Sequence, residues 1–238
     1  MRVLIVGGTS GIGLGLARHY AAEGQDVTVC GRDPGRVPVD AGVKAVRLDI
    51  TDRAAVERFM GDFVSQGIDL LLVAAGFYFN HRSHALDAAT TLRMLQTNVS
   101  GLAQVFELGA AAMLARGSGQ LVAISSVAGL LRDHPGASLY SATKRSVLSI
   151  CDSYRNALAP FGIVVTAIVP GYVDTAALRT LNGGDASRKP FLVSEAQAVA
   201  RIARAIAERQ AVCVFPWQMR WLIAVANLLP RTLLRLRR

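Results

Sequence analysis

Apolar residues along this chain follow two alternating patterns: short, near-continuous runs rich in β-branched residues, and longer stretches where they recur every three or four positions. Val3-Leu4-Ile5-Val6, Asp26-Val27-Thr28-Val29-Cys30, Val43 to Leu48, Asp69 to Ala75, Gln120 to Ile124, Ile163 to Val169 and Ala211 to Phe215 predict strands. Asp69 to Ala75 is apolar almost throughout, as in a central parallel strand covered on both faces. Helical periodicity runs through Leu14, Leu16, Ala17 and Tyr20, over Asp52 to Gln66 with Thr51 as cap, over Thr90 to Arg116 closed by Gly117, through the segment carrying Tyr140 and Lys144, and over Glu195 to Arg209. This order predicts an α/β fold, a doubly wound parallel sheet in one domain. Phe77 to Ala89 reads as an active-site loop. Ala176 to Pro190, polar, glycine-containing and without periodicity, reads as a mobile lid.

Composition narrows the class. At 238 residues the chain fits one large domain, and 52% apolar with 18% charged residues excludes a disordered chain. Cys30, Cys151 and Cys213 lie singly, without metal-ligand or redox spacing, and read as core residues in a reducing cytoplasm. The apolar stretch after Arg2 is too short for a signal peptide. Trp221 to Leu229, interrupted by Asn227, is far below the ~18 residues of a spanning helix. The net charge of +9 raises the question of nucleic acid, but no zinc-finger spacing or basic DNA-reading motif is present, and no nucleic-acid partner is expected. His81 and His84 have helical metal spacing but no third ligand, so they read as a solvated pair and no metal is expected.

The first chemistry-bearing stretch is Gly7-Gly8-Thr9-Ser10-Gly11-Ile12-Gly13, between the first strand and the first helix. Gly7 lets the chain turn sharply, Gly11 lets backbone approach a pyrophosphate, and Gly13 lets the helix pack close to the strand, with helix N–H groups facing the phosphates. After the second strand, Gly31-Arg32-Asp33 stands where an adenosine ribose would lie. A carboxylate there would bond the ribose 2′-hydroxyl and repel a 2′-phosphate. Gly31 followed by Arg32 removes that repulsion and offers a guanidinium fork, which favours NADP over NAD. Asp33 nearby and a solvent-facing Arg32 are the alternatives. Asp49 either faces the adenine or helps to cap the next helix.

Tyr140 and Lys144, four residues apart in a helix, share one face one turn apart, so an ammonium can sit close to a phenol. A free tyrosine has a pKa near ~10, and a positive charge beside it favours the phenolate. Tyr140 is therefore a candidate general acid or base, although the same pair also occurs as an ordinary helix neighbour. Asn98 is a poor interior helix residue, which gives its side chain or nearby backbone another task. Ser125-Ser126 and Pro170-Gly171 end strands at the sheet edge where open α/β folds hold ligands.

Taken together, these residues resemble the short-chain dehydrogenase/reductase family from Arg2 to about Phe215. Gly7, Gly11 and Gly13 look like its glycine motif, Asn98 its helix asparagine, Ser126 its active-site serine, Tyr140 and Lys144 its Tyr-x-x-x-Lys pair. Pro170-Gly171-Tyr172-Val173-Asp174-Thr175 looks like its segment along the nicotinamide. The resemblance implies a Rossmann-type fold that binds NADP(H) through Gly7, Thr9, Ser10, Gly11, Ile12, Gly13, Arg32, Asp49, Ile50, Ala75, Gly76, Asn98, Tyr140, Lys144, Pro170, Gly171, Val173 and Thr175. It gives Tyr140 the proton exchange, Ser126 a hydrogen bond to the substrate oxygen, Lys144 the lowering of the tyrosine pKa and a hold on the nicotinamide ribose, and Asn98 support of a water relay. Three departures stand out: Val6 replaces a threonine, Val73-Ala74-Ala75-Gly76 replaces Asn-Asn-Ala-Gly, and Ser126 lies fourteen residues before Tyr140 where thirteen is common. An extra residue around Asp133-His134-Pro135 accounts for the last, with Ser125 as the fallback.

The expected reaction is NADP-dependent carbonyl reduction or its reverse; the alternative is a non-catalytic nucleotide-binding or sensor protein on the same fold. Phe77, Tyr78, Phe79, Leu130, Leu131, Leu178 and Leu181 lie in stretches expected to surround an apolar or lipid-like substrate, or to serve as core. The catalytic domain is read as residues 1–215 and a tail as 216–238. The tail carries Arg220, Arg231, Arg235, Arg237 and Arg238, no acidic residue, and Trp217, Trp221, Leu222, Ile223, Leu228, Leu229, Leu233 and Leu234, with a break at Pro230. It fits a segment at the inner face of a membrane or a contact between subunits, since family members form dimers and tetramers.

Overall fold

The computed structural model describes residues 1–64, 67–78, 87–131 and 138–228. Its elements are β1 (Arg2–Val6), α1 (Gly11–Ala22), β2 (Asp26–Gly31), β3 (Lys44–Arg47), α2 (Arg53–Val64), β4 (Leu70–Val73), α3 (Ala88–Leu95), α4 (Gly101–Arg116), β5 (Gly119–Ile124), α5 (Leu139–Leu158), β6 (Ile163–Pro170), β7 (Val173–Asp174), α6 (Ala176–Thr180), β8 (Val193–Ser194), α7 (Glu195–Ala207), β9 (Val212–Phe215) and α8 (Trp217–Leu228). Among the described residues, β3-β2-β1-β4-β5-β6-β9 form one parallel sheet, and β7 pairs with β8 beside it. From β1 the chain winds outward through β2 and β3, then returns to build β4, β5, β6 and β9 on the other side. The strand order therefore reverses between β1 and β4, and a crevice opens at their carboxyl ends.

Successive strand residues point to opposite faces, and here both faces are buried. Leu4, Val6, Leu71, Val73, Leu121 and Ala123 pack with Phe106 and Met113 of α4 and Val147 and Cys151 of α5. Val3, Ile5, Leu70, Leu72 and Val122 pack with Leu16 and Tyr20 of α1 and Ala198 and Ile202 of α7. Each such aliphatic side chain, removed from water, stabilises the fold by about 1.5 to 3 kcal/mol, which is why the central runs are apolar without alternation.

Four local readings are corrected. Asp52, not Thr51, caps α2: its Oδ1 accepts from Ala55 N at 3.0 Å, while Thr51 donates through both backbone N–H and hydroxyl to Asp49. The stretch read as one helix from Thr90 to Arg116 is α3 and α4 joined by a π turn, Gln96–Ser100, which contains the buried Asn98. Gly117 ends it in the left-handed region, φ 67°. The segment read as a mobile lid without periodicity opens on a short helix, α6, whose first turn is capped by Thr175 Oγ1 accepting from Leu178 N at 3.2 Å. Cys213 is only partly buried, whereas Cys30 and Cys151 are core. The end of the second helix at Gln66, the pair His81 and His84, Phe79, Asp133-His134-Pro135 and the tail beyond Leu228 lie outside the described residues.

Candidate active site

The first-strand glycine turn is built by close backbone approach. Gly7 has φ 88°, and a Cβ on it would stand 2.2 Å from Ala75 N; a Cβ on Gly13 would stand 2.3 Å from Gly7 O. Gly13 thus seats α1 directly on the turn. Gly11, φ 50°, faces open space, its nearest neighbour being Thr175 Cγ2 at 3.5 Å from an added Cβ. The polar braces absent at Val6 and Val73-Ala74 are replaced by backbone: Ala74 N and Ala75 N both donate to Val6 O, at 2.8 and 2.9 Å, and Gly7 N donates to Cys30 O at 2.8 Å. No side chain caps the start of α1 at Ser10. Its first N–H groups remain available to an anion, and with the glycine cradle they fit a pyrophosphate.

A cavity of about 300 Å³ lies in front of this turn. Gly7, Thr9, Ser10, Gly11, Ile12, Gly13, Arg32, Asp49, Ile50, Ala75, Gly76 and Thr175, all anticipated from sequence, line it. Gly31 is among the walls for a reason of its own: a Cβ there would stand 2.4 Å from Thr9 Oγ1, so its bare backbone lets Thr9 pack inward. Asp33 turns away to an ion pair with Arg36 at 2.9 Å, leaving Arg32 as the β2-end charge on the wall.

The structure adds Arg93, Thr97 and Phe77 to the walls, residues the sequence reading did not assign to the cofactor site. Arg93 of α3 lies 4.8 Å over the Phe77 ring. Partial burial pushes the Asp49 carboxyl up, but the two hydrogen bonds from Thr51 and the charges of Arg32 and Arg93 outweigh it and hold Asp49 below the usual carboxylate range. Two guanidinium groups therefore converge on one end of the cavity. Arg93 and Thr97 are four apart, and that spacing, counted back from Asn98, was the available signal.

The Tyr140 cluster adjoins the other end through Ile124 and Gly76, both cavity walls. Ser138 starts α5 by accepting from Ser141 N, so Tyr140 sits in the first turn. Lys144 is buried and donates to Ile124 O at 2.8 Å; its Nζ would lie 3.4 Å from a Cβ on Gly76, and it is 5.8 Å from the Tyr140 ring centroid. Burial brings its ammonium down to about 8. Burial pushes the Tyr140 phenol up to about 12, the hydrogen bond from Ser126 pulls it down, and Tyr78 adds to the rise. The expectation of a tyrosine lowered by its lysine is thus not met in this structure: the lysine's own partner is a backbone carbonyl, and desolvation dominates the phenol.

The two serines separate by geometry. Ser126 meets Tyr140 and accepts from Ala128 N at 3.2 Å, whereas Ser125 is buried and donates to Lys144 O at 2.7 Å. Asn98 is fully engaged. Its Oδ1 accepts from Phe77 N at 2.7 Å, and its Nδ2 donates to Phe77 O and Thr143 Oγ1 at 2.9 and 3.1 Å. With both amide hydrogens used, any part it takes in a proton relay falls to its oxygens. Tyr78 stands edge-on to Tyr140, centroids 4.8 Å apart. Asn98, Tyr140, Lys144, Pro170, Gly171 and Val173 are not among the cavity walls: Pro170 pairs with Phe215 of β9, Gly171 abuts Pro216 and Met219, and Val173 is core. Leu130 and Leu131 pack against Ile223 of α8, and Leu181 is exposed.

A doubly wound parallel sheet with a glycine cradle and an uncapped helix at its switch point defines a dinucleotide-binding α/β protein. The family model for short chain dehydrogenases matches residues 1–186. An uncharacterized oxidoreductase of Myxococcus xanthus is 32% identical over 243 residues, covering 97% of this chain and 93% of its own length. A solved short chain dehydrogenase/reductase family protein is 29% identical with a TM-score of 0.79, covering 90% of this chain and 94% of that one. A short-chain dehydrogenase from Sphingobium yanoikuyae, solved in complex with NADPH, is 25% identical with a TM-score of 0.81, covering 100% of this chain and 95% of that one. The chain belongs to the short-chain dehydrogenase family and is an oxidoreductase of that type.

Proposed function

We propose that the protein is an NADP(H)-dependent oxidoreductase acting on a carbonyl or secondary alcohol, with Tyr140 exchanging the oxygen's proton. The observation that carries this reading is the Ser126–Tyr140 hydrogen bond beside the buried Lys144, at the end of a cavity whose glycine turn fits a pyrophosphate. When bound, the nicotinamide supplies or accepts the hydride. Ser126 and Tyr140 aim two hydroxyls at one position for a substrate oxygen. Lys144 places a positive charge on that side, which favours the phenolate as the proton leaves and is within reach of a ribose at the Gly76 wall. Asn98 fixes the loop at Phe77 to α5 and so sets the relation between the cavity and Tyr140.

The cavity's other end supports NADP(H) over NAD(H). Arg32 and Arg93 line it, Asp33 is turned to Arg36, and the Sphingobium yanoikuyae neighbour holds NADPH. Pro170, Gly171, Val173 and Thr175 complete the proposed cofactor segment. Tyr78 against Tyr140, with Leu130 and Leu131 on the Ser126 side, supports an apolar or lipid-like substrate. Residues 1–215 form the proposed catalytic domain and 216–238 a tail in contact with a membrane surface. A homo-oligomer, dimer or tetramer, is the proposed assembly, checked by light scattering.

The test is a nicotinamide-absorbance assay with apolar, quinone and sugar-derived ketones and each cofactor, on the natural chain and on Tyr140→Phe. Turnover with NADPH is expected in the former. Its loss is expected in the latter, with calorimetric NADPH affinity unchanged. Retained turnover in Tyr140→Phe would remove Tyr140 from the mechanism. NADPH binding without turnover across the panel would favour the sensor reading.

A further inference from the structure

Helix α8 is held to the body on one side only. Ile223 is buried with Val127 and Val169, Met219 packs beside them, and Asn227 Nδ2 donates to Leu130 O at 2.8 Å. The other side presents Trp217, Trp221, Leu222, Val225 and Leu228, which are 54 to 83% exposed. Trp217, Trp221, Ala224 and Leu228 are spaced by four, three and four residues and so form one stripe along the helix, with exposed Arg220 on its flank. Scattered apolar residues on a surface are ordinary; two tryptophans and three aliphatics gathered on one helix are an interaction surface.

We infer that this stripe seats α8 in the plane of an anionic lipid bilayer surface. Charge selects the partner. From Pro216 to the end of the chain every charged side chain is an arginine, at 220, 231, 235, 237 and 238, with no Asp or Glu. A second copy of this surface would offer Arg220 no carboxylate to pair with, since the stretch from Pro216 onward holds none. An anionic surface offers the opposite charge, and tryptophan beside arginine suits the boundary between headgroups and acyl chains. Among the described residues no helix is long and apolar enough to cross a membrane, so α8 lies on the surface. The inner side of α8 also abuts the catalytic end of the sheet: a Cβ on Gly171 would stand 3.0 Å from Pro216 Cδ and 3.4 Å from Met219 Cγ, and Leu130 closes the turn that begins at Ser126. A bilayer on the stripe would thus hold the body of the protein at the lipid surface through the helix that packs on the Ser126 turn. The docking inference goes beyond the redox reading and does not depend on it.

The chain's two tryptophans are Trp217 and Trp221, so intrinsic emission reports on α8 without a label. The full chain is mixed with phosphatidylcholine vesicles containing roughly one-third phosphatidylserine, and with phosphatidylcholine alone, at low salt and at about 0.5 M salt. Expected are co-flotation and a blue-shifted emission with the anionic vesicles at low salt, both weakened at high salt. Arg220→Glu, a change of two charges, should weaken partitioning by about tenfold or more. A Trp217→Ser/Trp221→Ser double variant, scored by flotation, should lose most of it while keeping its thermal unfolding and NADPH affinity. Failure of the full chain to float with anionic vesicles at low salt overturns the inference, as does undiminished flotation of both variants. An oligomer lost in the double variant, with no vesicle binding by the natural chain, would reassign α8 to a contact between copies.

Discussion

Lys144 carries a measurable consequence of its burial. Its ammonium is brought down to about 8 in the fold, whereas in the unfolded chain it titrates near the free value of ~10.4. Below pH 8 the group is charged in both states, and the fold bears the full cost of holding that charge out of water. Between the two values the unfolded chain binds the proton and the folded chain does not, so stability rises with pH through that window. From about pH 7.5 to about pH 9.5 the rise due to this one group is about 2 kcal/mol. That figure is an upper bound, because Ile124 O accepts from Nζ at 2.8 Å and favours the charged form. The perturbation is Lys144→Met, which keeps the length and removes the charge. Urea unfolding followed by far-ultraviolet circular dichroism, on both chains across that range, isolates the term as a difference of differences. The natural chain should gain on the variant as pH rises. The raised Tyr140 phenol acts only above pH 10, where it lowers stability with rising pH, and so leaves the window clear. A difference that stays flat would show that Lys144 is hydrated in solution and refute the burial argument.

Arg32→Ala should reduce NADPH affinity about tenfold with little effect on NADH, the low end for a charged hydrogen bond because Arg32 is solvent-exposed; equal affinities for both cofactors in the natural chain would show that Arg32 makes no bond to a 2′-phosphate. Arg93→Ala, at the same end of the cavity, should weaken calorimetric binding of 2′,5′-ADP more than that of 5′-AMP, and parallel losses would separate it from the 2′-phosphate. Asn98→Ala leaves the Phe77 N–H without its acceptor and should cost about 2 kcal/mol in urea unfolding. Gly129→Ala puts a Cβ 2.7 Å from Lys144 C, so it should lower kcat through the Ser126–Tyr140 geometry while NADPH affinity holds.

Strands and long helices were legible because burial on both faces forces unbroken apolar runs, and helix faces force a period. Features governed by a single residue or a single turn were less so. Thr51 and Asp52 are both good caps and adjacent, so only the observed bond to Ala55 N separates them. The π turn at Gln96–Ser100 shifts the face by one residue inside a stretch rich in alanine and leucine, where such a shift leaves little trace. Helix α6, Ala176–Thr180, is too short to show a period. The cofactor turn was readable since its glycines answer to backbone contacts within a few residues and one neighbouring strand. Arg93 was not, because its place on the wall depends on how α3 packs against α5, a tertiary fact. The pKa of Tyr140 was misjudged for a related reason: helix spacing brings an ammonium near a phenol, but says nothing of the Ile124 carbonyl that holds the ammonium or of the burial that dominates the phenol.

The glycine turn and the helix that carries Tyr140 are fixed by different means. A side-chain brace at Val6 or Val73-Ala74 would fix the glycine turn to the central strand by polar atoms; here Val6 O accepts two backbone N–H groups and the turn is fixed without them. Helix α5, which carries Tyr140 and Lys144, is tied from several sides. Ser125 Oγ holds Lys144 O, Asn98 Nδ2 holds Thr143 Oγ1, Lys144 Nζ holds Ile124 O, and Gly129 lets the Ser126 turn reach the Lys144 backbone. Three of these tie α5 to the end of β5 or to the segment just beyond it, so Tyr140 is located relative to the sheet edge and not merely relative to its own helix. A free helix end frays within its first turn, and Tyr140 sits in that turn. Here the Ser138 cap, the Ser126 hydrogen bond and the Tyr78 ring hold it from its own turn, and the ties at 143 and 144 hold it from one turn further in. Losses at the Arg32 and Arg93 end should accordingly appear in binding and losses at these ties chiefly in turnover, because among the described residues the two ends meet at Gly76, Phe77 and Ile124.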